Sequence, residues 1–208
     1  MIPKYGATMP HPQRPRGRPR AFDEEAFLGA VIALFRARGF AGVSMSDITA
    51  ASGLTVGSIY KAYGDKEGVF DAALAHYISQ RDAQNQAALA QRPNSRSKLD
   101  ALMAIYLGLS IGEDGKLGCM VVSGVADMDL VGRASERLQT QLTAFKASLL
   151  ALIAEGQADG SIHAHIHPDS TATLLLAMLQ GLRVLGKTQM ISAIDTEALK
   201  AAMLRTLE

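Results

Sequence analysis

Residues 44–63, SMSDITAASGLTVGSIYKAY, constrain the fold of this chain more than any other stretch. Ser44 with Asp47 three residues on is a capping-box-like helix start, with Asp in place of the usual Glu. Met45, Ile48 and Ala51 form the apolar stripe of that helix, and Gly53 suits a left-handed position at its end. Only Leu54 intervenes before Thr55, an N-cap for a second short helix, VGSIYKAY. Gly64 and Asp65 end it. Two short helices joined by a glycine-containing turn of three residues predict a helix-turn-helix. Ile48 and Ile59 then pack the pair together, and Leu54 plugs the turn. Val56, Gly57, Ser58 and Lys61 are left facing outward at the start of the second helix.

The rest of the chain reads as further helices. Asp23 caps one running to about Arg38, with Phe27, Val31, Leu34 and Phe35 on one face and Gly39 at its end. A long helix follows from about 66 to 92, interrupted by RPNSRS. Further helices are predicted at about 97–111, then, after a glycine-rich break GEDGKLG, at 118–130, 134–157, 169–187 and 195–207. No segment sustains the period-two alternation of a strand. The mixture of Ala, Leu, Met and Ile with no Trp favours helix as well. The expected fold is all-α: a basic arm at 1–22, a three-helix DNA-binding unit at 23–67, and a larger helical unit at 68–208 for ligand binding and dimerisation.

A DNA partner follows from geometry and charge. In a helix-turn-helix the start of the second helix meets base edges in the major groove. Gly57 and Ser58 are small enough for close approach. Ser58 can bond a base edge, Val56 can touch a thymine methyl, and Lys61 reaches a guanine or a phosphate. Thr55 and Tyr60 offer hydroxyls, and Ser44 and Lys66 sit at helix starts, where phosphate is favoured. The whole chain carries +1, yet residues 1–67 hold nine Lys/Arg against six Asp/Glu. Within QRPRGRPRAF, residues 13–22, lie Arg14, Arg16, Arg18 and Arg20. Prolines keep that segment extended and Gly17 allows backbone to approach a groove floor. RGRP resembles the core of the AT-hook, which places Arg16 and Arg18 in a narrow A·T minor groove. A basic tail of non-specific attraction is the alternative.

The run FRARGFAGVSMSDITAASGLTVGSIYKAYGDKEGVF resembles the DNA-binding domain of the TetR family of bacterial transcription regulators. The pattern passes through Phe35, Gly39, Phe40, Asp47, Ile48, Ala51, Gly53, Thr55, Gly57, Ser58, Ile59, Tyr60, Lys66, Glu67 and Phe70. Ala62 and Tyr63 stand where the family usually has an aromatic pair, Val43 where Thr is common, and Val56 where a polar or basic residue is common. Tyr63 keeps a ring to pack. The resemblance implies an all-helical homodimer, usually a repressor, that binds a double-stranded DNA operator and is released by a small-molecule effector in its C-terminal domain.

The effector side is less patterned. Tyr77, Met103, Tyr106, Met120, Met128, Phe145 and Met178 are candidates to line an apolar pocket between long helices, or plain core. Cys119, the only cysteine, lies near a predicted helix start with Lys116 three residues before, a setting that favours thiolate. A Gly-Cys pair in this region also resembles a TetR-family branch whose members include responders to oxidants or electrophiles. Broad apolar faces on 169–187 and 195–207 suggest half of a four-helix dimer interface, or core within one subunit. His163, His165 and His167 alternate, but no Cys or clear carboxylate partner accompanies them, so no metal is expected and no cofactor. There is no phosphate loop, nucleophile elbow or two-His metal helix, so no enzyme is expected. No apolar run approaches a membrane span and no secretory signal is evident, so a cytoplasmic setting is expected. The competing readings are an architectural A·T-rich DNA binder and a helical ligand-binding or hydrolytic protein that never meets DNA.

Overall fold

The computed structural model describes residues 23–191 and 196–208. The arm with Arg16 and Arg18 lies outside the described residues. Among those described, the regular structure is helical throughout: α1 (Glu24–Arg38), α2 (Met45–Ser52), α3 (Val56–Tyr63), α4 (Lys66–Ala90), α5 (Ser95–Gly108), α6 (Gly112–Leu117), α7 (Met120–Ala126), α8 (Ala134–Ala158), α9 (Pro168–Lys187) and α10 (Thr196–Leu204). A short 3-10 turn, Arg205–Leu207, closes the chain.

The expected helix ends are made by the residues that signalled them. The Asp23 carboxylate accepts from the Ala26 N–H at 3.1 Å. Ser44 and Asp47 form a full capping box: Ser44 Oγ accepts from Asp47 N, and Asp47 Oδ2 accepts from Ser44 N at 2.8 Å. Gly53 takes φ 69°, a left-handed conformation that costs a side-chain-bearing residue more. Thr55 Oγ1 accepts from Ser58 N at 3.2 Å.

Two apolar cores divide the molecule. The first joins α1, α2 and α3 to α4, α7 and the start of α8. Ile48 and Ile59 are buried in it, with Leu54 packed alongside. Phe70 of α4 stands edge-on to Phe35 and Phe40, with centroids at 4.9 and 5.2 Å. Tyr63 stacks on Phe27 at 5.0 Å, so the ring in the unusual pair does pack. The second core lies among α5, α8, α9 and α10.

Three expectations are corrected. The glycine-rich stretch after α5 is the short helix α6. Gly115 serves close packing there, since a Cβ would sit 2.5 Å from the Ser110 carbonyl oxygen. The helix predicted at 118–130 ends at Ala126. The Asp127 side chain turns away to accept from the Phe40 and Ala41 N–H groups at 2.8 and 3.3 Å. The C-terminal helix does not present a free interface. Its Met203 and the following Leu207 are buried in the second core, where α10 packs on α5. The exposed apolar face belongs instead to α9, where Leu174, Val184 and Leu185 are each at least 40% exposed.

Candidate nucleic-acid interface and effector cavity

The outer face of α3 is held out by its buried inner face. Ile59 is 1% exposed, whereas Val56 and Tyr60 are 48% and 49% exposed. Gly57, Ser58 and Lys61 are exposed beside them. A Cβ placed on Gly57 would meet nothing within 4 Å, so this face is open to close approach. Thr55 and Ser58 exchange a hydroxyl hydrogen bond at 2.9 Å, which orients both at the helix start. Val56 puts a branched apolar side chain where a polar one was expected from the family pattern.

Two of the residues expected near phosphate have side chains engaged within the fold. Lys66 turns inward: its Nζ donates to the Phe40 and Val43 carbonyls, both at 3.1 Å, and lies 4.1 Å from the Phe40 ring centroid. Those carbonyls follow α1 and lack helical partners, which explains the attraction. The Ser44 hydroxyl donates to Asp47 at 2.6 Å. Hydrogen bonds from Ser44, with a smaller contribution from Arg38 at 2.9 Å, push the Asp47 carboxyl down to about 2.

In the body, Tyr77, Tyr106, Cys119 and Phe145 come together around a cavity of about 50 Å³ between α4, α5, α8 and α9. Asp82, Asn85, Gln141 and Phe145 form a wall shared with a second cavity of about 170 Å³, lined deeper by Leu89, Leu102, Leu149 and Leu152. Tyr106 stacks on Phe145 at 5.5 Å, and burial raises its ionisation far above the ordinary tyrosine range. Tyr77 donates to Cys119 Sγ at 3.7 Å, and burial chiefly raises its ionisation too. Met103 and Met120 are packed inside the second and first cores and line neither cavity. Met128 packs against the first core and Met178 against the second, likewise off both cavities. Lys116, expected beside the thiol, pairs with Glu113 at 2.6 Å. His167 caps α9, with Nδ1 near the Ser170 N–H at 3.4 Å.

Sequence reasoning missed the charged groups that join the two regions. Arg36 of α1 is 8% exposed and Arg183 of α9 is 2% exposed. Both guanidiniums donate to one acceptor, the Gly118 carbonyl, at 2.8 and 2.9 Å. Arg36 also pairs with Asp114 at 2.9 Å and holds that carboxyl below its usual range. Lys187 Nζ donates to the Arg36, Ala37 and Leu117 carbonyls at 3.2, 2.9 and 3.2 Å. Gly118 takes φ 86°, and a Cβ there would lie 3.0 Å from the Lys187 side chain. The end of α1, the α6–α7 junction and the end of α9 thus meet at one backbone carbonyl. One signal was available. Arg183 interrupts LLLAMLQGLRVLGK on the face that also carries Leu175, Leu179 and Leu182.

The family model of the bacterial regulatory proteins, tetR family, matches residues 27–73. That of the tetracyclin repressor-like C-terminal domain matches residues 95–202, just over half of the chain. The chain is 26% identical over 174 residues to the HTH-type transcriptional repressor ComR of Escherichia coli (strain K12), covering 83% of each. It is 30% identical over 161 residues to the HTH-type transcriptional repressor DhaR of Mycobacterium sp. (strain GP1), covering 71% of this chain and 74% of that one. Among solved structures, a cysteine mutant of the TetR family transcriptional regulator CifR, complexed with 26bp double-strand operator DNA, is similar with a TM-score of 0.74. Identity to it is 28%, over 92% of this chain and 100% of that one. Motif, helical architecture and both matched regions agree: the chain belongs to the tetR family of bacterial regulatory proteins.

Proposed function

We propose that this chain is a transcriptional repressor that binds a palindromic DNA operator as a homodimer and is released by a small molecule held in the body. The observation that carries the reading is the outer face of α3. Val56, Gly57, Ser58, Tyr60 and Lys61 stand clear of the fold on a helix anchored through Ile59. A face of that shape suits a major groove, where Lys61 and Ser58 meet base edges or phosphate and Val56 a thymine methyl. The operator-bound relative supports the DNA partner, and the names of the curated relatives support repression. In this reading residues 1–22 are the minor-groove arm, 23–67 the DNA-binding head and 68–208 the effector and dimer body.

The dimer surface in this reading is the exposed side of α9 with the adjoining end of α7. Val122, Val125, Leu176, Ala177, Gly181 and Val184 line an open groove of about 350 Å³ there, with few polar groups. A second copy seated on that groove gives the two heads that half-sites one helical turn apart require. Among the described residues no helix is long and apolar enough to cross a membrane.

The test is selection of bound sequences from random DNA, followed by gel shifts with Lys61→Ala and Tyr60→Phe. Loss of a base contact at Lys61 is expected to cost about 1–3 kcal/mol and to relax specificity. Loss of a phosphate contact instead weakens all sites alike and lowers the salt slope by about one. Unchanged affinity for both variants removes α3 from the interface.

A further inference from the structure

Arg183 is a buried and incompletely satisfied charge. It is 2% exposed, and its Nη1 is fully buried without a hydrogen-bond partner among the described residues. Its Nη2 has one, the Gly118 carbonyl. A buried donor left unpaired is destabilising, and more so when it belongs to a cation. Arg183 is also one of the residues lining the cavity of Tyr77, Tyr106, Cys119 and Phe145. Arg81 is a second cation on that wall, and its charge is only loosely met by Asp114 at 4.0 Å. Asp82 is the one acidic residue of the lining and receives Gln141 Nε2 at 3.4 Å. The wall is therefore net positive. Tyr106 has a phenol hydroxyl to donate, and it too lines the cavity. Gln141 and Gln180 add further amides to the lining. The neighbouring cavity is apolar along Leu89, Leu102, Leu149 and Leu152.

We propose that the effector of this protein is a small monocarboxylate with an apolar body, its carboxylate taken by the vacant Nη1 of Arg183 and its body laid along the Tyr106–Phe145 stack toward the leucine-lined cavity. The proposal rests on the effector role given under Proposed function and names its chemical class. A planar carboxylate matches the guanidinium fork and satisfies the orphaned donor at once. Its consequence for DNA follows from the shared carbonyl. Arg183 and Arg36 hold Gly118 O together. A carboxylate that draws the Arg183 fork toward the cavity weakens that shared grip, and with it the seat of α1 on the body.

The test uses the full-length protein in calorimetry without DNA. Benzoate, phenylacetate and octanoate are each titrated beside their own primary amides, which keep the shape and lose the charge. At least one acid is expected to bind about tenfold tighter than its amide. Arg183→Gln is expected to abolish that ratio, and Arg183→Lys to keep a preference for the acid. The proposal is overturned when acid and amide bind wild type equally, when none of the acids binds, or when Arg183→Gln keeps the ratio. The wild-type ratio and Arg183→Lys decide the matter even where Arg183→Gln does not fold. A separate arm measures release of selected DNA by the bound acid. Acid binding with no DNA ever selected breaks the operator reading alone. DNA selection with no preference for any acid breaks the effector class alone.

Discussion

The outer face of α3 and the cavity in the body are built by opposite means. The face comes from consecutive residues, 55 to 61, on one short helix whose caps lie within four residues of their partners. The cavity takes Tyr77, Tyr106, Cys119, Phe145 and Arg183 from positions spread over about half of the chain. The face is all exposure, with small residues and one ammonium. The cavity is largely enclosed, with a buried cation and two phenols in its wall. A surface meant for a long, uniform polyanion needs shape and a few donors. A site for one small molecule needs convergence and exclusion of water. The two are joined through α1, α4, α7, Asp127 and the Gly118 junction.

The harshest way to break this contrast is at Phe70, which lies on the helix shared by both regions. It is fully buried against Phe35 and Phe40. Phe70→Ala is expected to remove about 3–5 kcal/mol. The core beneath the head continues into α4 and α7, so urea unfolding followed by circular dichroism should show one transition, shifted, with DNA binding lost. A body of unchanged stability that has lost only its DNA affinity would show the head to be a separate folding unit.

A milder change separates the regions by pH. Ser44→Ala removes the cap of α2 at a cost of about 1 kcal/mol and leaves the cavity untouched. Ser44 holds the Asp47 carboxyl at about 2, below its ordinary 3.8. A depressed carboxyl contributes stability that is present above the unfolded value and lost as pH falls through the folded one. The gap in urea midpoint between wild type and Ser44→Ala should therefore be full at neutral pH and shrink between about pH 4 and pH 2. Carboxylate binding at neutral pH should not change. A gap that persists at its full size to pH 2 contradicts the capping-box account.

Legibility in the sequence follows the same division. The helix-turn-helix was readable because its signals are local: Ser44 with Asp47, Gly53, Thr55, and the Ile48–Ile59 spacing. The cavity was half readable. Its aromatic residues were named from their place on long helices, but Met103 and Met120 were grouped with them, because a core methionine and a pocket methionine look alike in sequence. Lys66 was read from its place at a helix start; its side-chain bonds were not legible because the acceptors, the Phe40 and Val43 carbonyls, lie more than twenty residues away and carry no side-chain signature. Of the Gly118 junction only Arg183 on the apolar face of α9 gave a sign, as its acceptor is a backbone carbonyl. Asp127 ended a helix the apolar pattern would have continued, drawn off by backbone N–H groups of another element.

The central claim, that two α3 faces read one operator, is tested most directly by a hydroxyl-radical footprint on DNA selected from a random pool. The account predicts two protected half-sites related by a twofold axis, with centres about 34 Å apart along one side of the duplex. Protection spread evenly over A·T-rich DNA, with no repeated half-site, would contradict it and leave a non-specific architectural binder.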